Sequence, residues 1–133
     1  MTAITDYLEN ELLDHVLKNA SYSPAASVYA SLFTVLSAGN IEADSGTEAT
    51  GSAYARTVIT FGSVASGGSI SSTADCTFPT ASGGNWGTIV GMMVEDASSA
   101  GNALFGGSLT ASKVVNDGDT FKFNSGDITV TLD

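Results

Sequence analysis

Two residues set narrow limits on the chemistry open to this chain: among 133 residues there is one histidine, His15, and one cysteine, Cys76. A Ser-His-Asp relay would have to use His15, which lies on a helical stretch but off its apolar stripe, and the sequence has no G-x-S-x-G elbow. A lone cysteine excludes an intramolecular disulfide and a cysteine-based zinc site. Asp117-Gly118-Asp119 has the spacing that opens a calcium loop. Such a loop needs an oxygen ligand two residues beyond Asp119 and a late glutamate, and the sequence places Phe121 and Ile128 there. The run therefore reads as an Asp-Gly hairpin turn. Glu95-Asp96 closes an apolar run just before a turn, the position of a solvated strand end rather than of an acid–base pair. The glycine clusters match neither a P-loop nor a dinucleotide fingerprint, and they travel with serine as turns do. No catalytic residue, no cofactor and no metal ligand set is expected.

Charge narrows the partners. Fourteen acidic residues stand against four basic ones, a formal net charge of −10. Such a surface repels phosphate backbones and anionic lipid, so neither nucleic acid nor membrane is an expected partner. Asp6, Glu9, Glu11 and Asp14 interrupt the first twenty residues, so no secretion signal is expected. The length suits a single domain spanning 1–133 with one core.

These residues need elements to hold them. ITDYLENELLDHVLKN repeats an apolar residue every four positions, at Ile4, Leu8, Leu12 and Val16, which predicts an amphipathic helix within residues 1–20. Thr5 or Asp6 caps its start, and His15 and Lys18 sit near its end as the helix dipole prefers. From residue 27 to 133 the period becomes two. SVYASLFTVL is apolar on both faces and predicts a central strand. Ala38 to Ala53 is polar and aperiodic and predicts a long loop. Trp86 to Asp96 is the most apolar run and predicts a buried strand. Roughly eight short strands result, so the expected fold is mainly β: a jelly-roll-like β-sandwich preceded by one N-terminal amphipathic helix. Cys76 alternates in phase with Ala74 and Phe78 and belongs in the core. Trp86, after Gly83-Gly84, reads first as a normal core residue of a small sandwich and second as a surface anchor, because tryptophan is enriched at interfaces.

The order of segments, from ITDYLENELLDHVLKN through VYASLFT, GTEATGSAYARTVITF, SISSTADCTFPTA, WGTIVGMMVEDA and GNALFGGSLTASKVVNDGDTFKF to GDITVTLD, resembles a widespread family of small virion proteins of tailed bacteriophages. Members are often labelled tail fibre proteins. A compact acidic sandwich of this size is also similar to the cement, or decoration, proteins of phage capsids. The resemblance implies a non-enzymatic structural protein, made in the host cytoplasm and carried in the virion. The first expectation is a cement protein on the capsid exterior that binds and stabilises the assembled head, with the major capsid protein and further copies of itself, a trimer among the options, as partners. The alternative is a tail-associated fibre, tip or adaptor. Tyr54, Trp86, Leu8 and Leu12 are the candidate partner-interface residues.

Overall fold

A computed structural model describes residues 3–132. The elements, in chain order, are β1 (Ala3–Ile4), α1 (Asp6–Leu17), β2 (Val28–Val35), α2 (Ala38–Glu42), β3 (Thr47–Glu48), β4 (Thr57–Ile59), β5 (Ser69–Ser71), β6 (Cys76–Thr77), β7 (Gly87–Glu95), β8 (Ala103–Val115), β9 (Lys122–Phe123) and β10 (Thr129–Thr131). The chain is mainly β with an N-terminal helix, as the periodicity predicts.

Three strands carry the architecture. The long β8, β7 and β2 lie side by side in a six-stranded antiparallel sheet ordered β1-β8-β7-β2-β3, with β4 also paired to β2. The other strands form two short antiparallel ribbons, β5 with β10 and β6 with β9. The second layer is therefore a pair of ribbons and their loops rather than one continuous sheet.

The reason lies in the alternation of β2 and β7, which bury residues on both faces. Ala30 to Phe33 are all buried, and so are Gly91 to Glu95. Ala30, Leu32, Met92 and Val94 face the main core, where the ribbons and loops supply Cys76, Phe78, Phe121 and Ile128. Phe33 and Met93 face the other way and pack with Ile41 of α2 and Ala103. A bulge between Ile89 and Gly91 in the β7–β8 pairing resets the alternation. It puts Ile89 and Met92, three positions apart, into the same core.

Two elements depart from expectation. The stretch 38–53 is not one long loop: it folds as α2 and β3. Ser37 caps α2, with Asn40 returning the bond to the Ser37 backbone, a reciprocal capping box. Ile41, 4% exposed, is the one apolar anchor that docks this turn of helix, which is why hydrophobic period could not reveal it. The N-terminal stripe also divides. Ile4 is a strand residue opposite Phe105, Leu8 is buried, Leu12 is half-buried, and Val16 is 72% exposed. The helix ends at Leu17, and an extended segment leads to β2. Only the start of α1 is seated on the body.

What seats it is Thr5, fully buried between β1 and α1. Its hydroxyl donates to the Ala103 carbonyl at 2.7 Å and accepts from the Leu8 amide at 3.3 Å. Its own amide donates to the Leu104 carbonyl at 3.1 Å. One side chain thus caps the helix and ties it to β8. Thr5→Val keeps the shape and removes both hydroxyl bonds. It is expected to lower stability by about 1–2 kcal/mol, read as a lower urea midpoint with an unchanged m-value.

Candidate interaction surfaces

The residues singled out by sequence lie in the body of the protein. Trp86 is 4% exposed and cannot serve as a surface anchor. Its ring meets Tyr54 edge-on at 5.2 Å, and its Nε1 donates to the Ser52 carbonyl at 3.3 Å. Gly51 closes over it: a Cβ there would lie 2.9 Å from the indole, and the glycine holds φ +151°. Leu8, 5% exposed, is likewise core and offers no apolar surface to a partner. Packing of the helix start against β8 consumes it. Tyr54 and Leu12 are half-buried. Of the four, Tyr54 and Trp86 are brought together, and Leu8 and Leu12 are neighbours on α1.

Tyr54 leads to a cluster that the sequence reading missed. Its hydroxyl donates to Glu48 Oε1 at 2.8 Å and accepts from the Leu32 amide at 2.9 Å. Burial pushes the phenol far above its ordinary pKa. Arg56 grips the same carboxylate with two parallel bonds, Nε to Oε1 and Nη2 to Oε2, each 2.9 Å. Its Nη1 donates to the carbonyls of Ala97 at 3.1 Å and Ala100 at 2.8 Å. The same nitrogen stands 3.5 Å from Glu95 Oε2. The Glu48 bond raises the Arg56 pKa in spite of burial.

Glu95 is not the solvated strand end expected. It is 2% exposed, because the alternation of β7 turns it inward beside Ser31, whose hydroxyl donates to it at 2.7 Å. Burial raises its pKa, while the Ser31 bond and the Arg56 charge pull the other way. One cation therefore serves two carboxylates. The cue was present: Arg56 is the only arginine in the sequence, standing in a chain with four cations in all.

The remaining candidates resolve into local structure. Asp119 accepts from the Asn116 amide at 2.9 Å, which makes the Asp-Gly run a side-chain-closed turn. Asp96 accepts from the Asn102 amide at 2.7 Å across the β7–β8 turn. His15 Nδ1 donates to the Ala20 carbonyl at 2.8 Å on the exposed helix end. Cys76 is core, its thiol pushed up to about 11 by burial. Among the described residues no three His, Cys, Asp or Glu side chains come together as a metal ligand set.

Open surface lies elsewhere. A groove of ≈ 690 Å³ runs between the second half of β8 and the β9–β10 segment, flanked by Lys113, Lys122, Asp119 and Asp127. A smaller groove of ≈ 300 Å³ lies between the β5–β10 ribbon and the large sheet, lined by Val28, Phe61, Val94, Val130 and Leu132 among others. Leu13, Val16 and Leu17 on α1 are also exposed.

The family described as podophage GP4 fiber I protein gp80 matches residues 3–131. The chain belongs to this family, and it is a phage virion protein. No curated protein matches the chain.

Removing Arg56 leaves two carboxylates to face each other, one of them buried. Arg56→Met is expected to cost about 3–5 kcal/mol at neutral pH. The folded chain holds the Glu95 proton more tightly than the unfolded chain does, so stability from this group falls as pH rises from the ordinary glutamate range through the folded-state value. Loss of Arg56 lifts that value further and steepens the fall. Chemical denaturation across pH should therefore find the deficit of Arg56→Met largest at neutral pH and shrinking as the medium becomes acid.

Proposed function

We propose that this member of the podophage fibre I family is a structural component of the phage tail and works through contact, without catalysis. The family match over residues 3–131 carries this reading, because the family is described by a fibre protein. It favours the tail over the capsid exterior, the position first expected from the acidic, compact character of the chain. The site chemistry supports the absence of catalysis. Glu48, Tyr54, Arg56 and Glu95 saturate one another, and a general acid or base must be left with a proton to exchange with substrate.

The charge of −10 supports a partner that is protein rather than packaged DNA or anionic lipid. A tail component binds neighbours through repeated modest contacts, which multiply by avidity when several copies engage at once. Further copies of this chain and other tail proteins are the partners this reading calls for.

Quantitative mass spectrometry of purified virions, set against the major capsid protein, tests the placement. A tail protein is expected in a small number of copies that follows the tail's rotational symmetry, with labelled antibody bound at the tail. Copies near stoichiometric with the capsid protein, with label spread over the head, would sink the tail reading and restore the cement role.

A further inference from the structure

The N-terminal part of the chain is hydrogen-bonded to the body at one place. There β1 lies against β8, Ala3 opposite Gly106 and Ile4 opposite Phe105. Thr5 adds its amide to the Leu104 carbonyl and its hydroxyl to the Ala103 carbonyl. Leu8 is buried next to this seat. Beyond it the attachment thins out. Residues 13 to 27 are exposed apart from half-buried Tyr22. Among the described residues, the bonds made by residues 6–27 stay within that stretch or return to Thr5. Lys18 and Ala20 donate to the Asp14 carbonyl, the His15 ring donates to the Ala20 carbonyl, and the Lys18 ammonium pairs with Asp14. The core confirms the separation. The main cluster contains no residue of the stretch 3–17, and only half-buried Ala3 packs against the second. Leu8 belongs to neither.

We propose that residues 3–17 form a strap, a unit that undocks from the body while the large sheet stays folded. Regions with few buried contacts open at a fraction of the free energy of global unfolding. The strap is such a region, and the connection that follows it allows the movement. Residues 18–27 form no helix or strand, and extended they span about 30 Å, so the strap can leave without pulling on β2. An isolated helix the length of α1 is marginal in water. Undocking therefore melts α1, and its amides report the event. The opening also bares the outer edge of β8 from Ala103 to Gly106, which β1 and Thr5 otherwise pair. An unpaired edge is a template for a further strand, so the strap acts as the closure of this end of the sheet.

Native-state hydrogen exchange on the full chain tests it. The amides of Thr5, Leu8 and Leu12 are expected to exchange through one shared opening, at least about tenfold more often than those of β2 and β7. Added urea should promote this opening less steeply than global unfolding, because it exposes less surface. A pinned variant gives the second reading. The Thr5–Leu104 bond makes Ile4 and Phe105 the adjacent non-hydrogen-bonded pair, the kind whose side chains stand closer. Ile4→Cys with Phe105→Cys can therefore be bridged, and the native Cys76 is buried. Oxidised, the strap amides should slow until they match β2 and β7; reduced, they should regain their lead. Strap amides no faster than those of β2 and β7 in the unmodified chain would make residues 3–17 an integral part of the body and overturn the proposal. So would protection lost from Leu17 backward with Thr5 and Leu8 as slow as β7, which is fraying of a helix end. A lead that survives oxidation would show α1 opening without β1, and the strap would not be a unit.

Discussion

The structure turns on the two-sided burial of β2 and β7. A sheet wet on one face needs a single cover; this one needs two. The chain has no second long sheet to give. It covers one face with the Phe78, Phe121 and Ile128 of ribbons and loops, and the other with Ile41 of α2. Short pieces suffice because each contributes one or two large side chains at a fixed place. The aromatic contacts among Phe78, Phe121 and Phe123, at 5.0 to 6.4 Å, join the ribbon pieces to one another where hydrogen bonding between strands is brief. The cost of this arrangement falls on α1. With α2 already on the second face, only the first turns of α1 find a surface to bury against.

The same two-sided burial explains the ion cluster. Alternation fixes that if Met93 faces inward on the second face, Glu95 does too. A buried carboxylate requires a counter-ion and hydrogen bonds. Arg56 meets the need because a guanidinium can hold one carboxylate with two bonds and still reach further acceptors. In doing so it gathers β3 through Glu48, the end of β7 through Glu95, and the 97–101 turn through two carbonyls. Tyr54 then links Glu48 to the amide of Leu32 in β2. One arginine thus coordinates the sheet edge, a central strand and the turn that leads into β8. A lysine has one nitrogen and could not make this set of contacts.

Much of this order was legible in the sequence wherever a period ran long enough to measure. The central strand of SVYASLFTVL and the buried run from Trp86 onward declare themselves by composition and length, and the Thr5 cap by position. Elements of two or three residues are legible only where the run around them alternates, as Ile128, Val130 and Leu132 do around β10; β3, set in a polar stretch, is not. The helix α2 hid for a related reason: one anchor, Ile41, and a cap make no stripe. The surface was harder still. Trp86 reads as a core residue first and an anchor second, and the close approach of Gly51 that settles it comes from a loop 35 residues upstream. The stripe of α1 was seen correctly as apolar. Which part of it is buried depends on how much sheet face remains free, a property of the assembled fold and absent from any local window.

That last point gives the unsatisfied helix face its meaning. An apolar face left open on a small protein is a hazard unless something restricts what meets it. Here the restriction is electrostatic. The net charge of −10 opposes casual association in solution. On the exposed end of α1, Asp14 and Lys18 pair with each other at 3.3 Å, while Glu9, four residues before Leu13, keeps an acid on the same face. A contact made at this face depends on apolar fit strong enough to offset that charge. Misdocked arrangements bring like charges together without compensating burial, so the net charge acts as a filter on geometry as well as an aid to solubility. For a virion part the two properties act in opposite directions: net charge resists association, and only a partner that fits the open apolar face gains enough burial to overcome it.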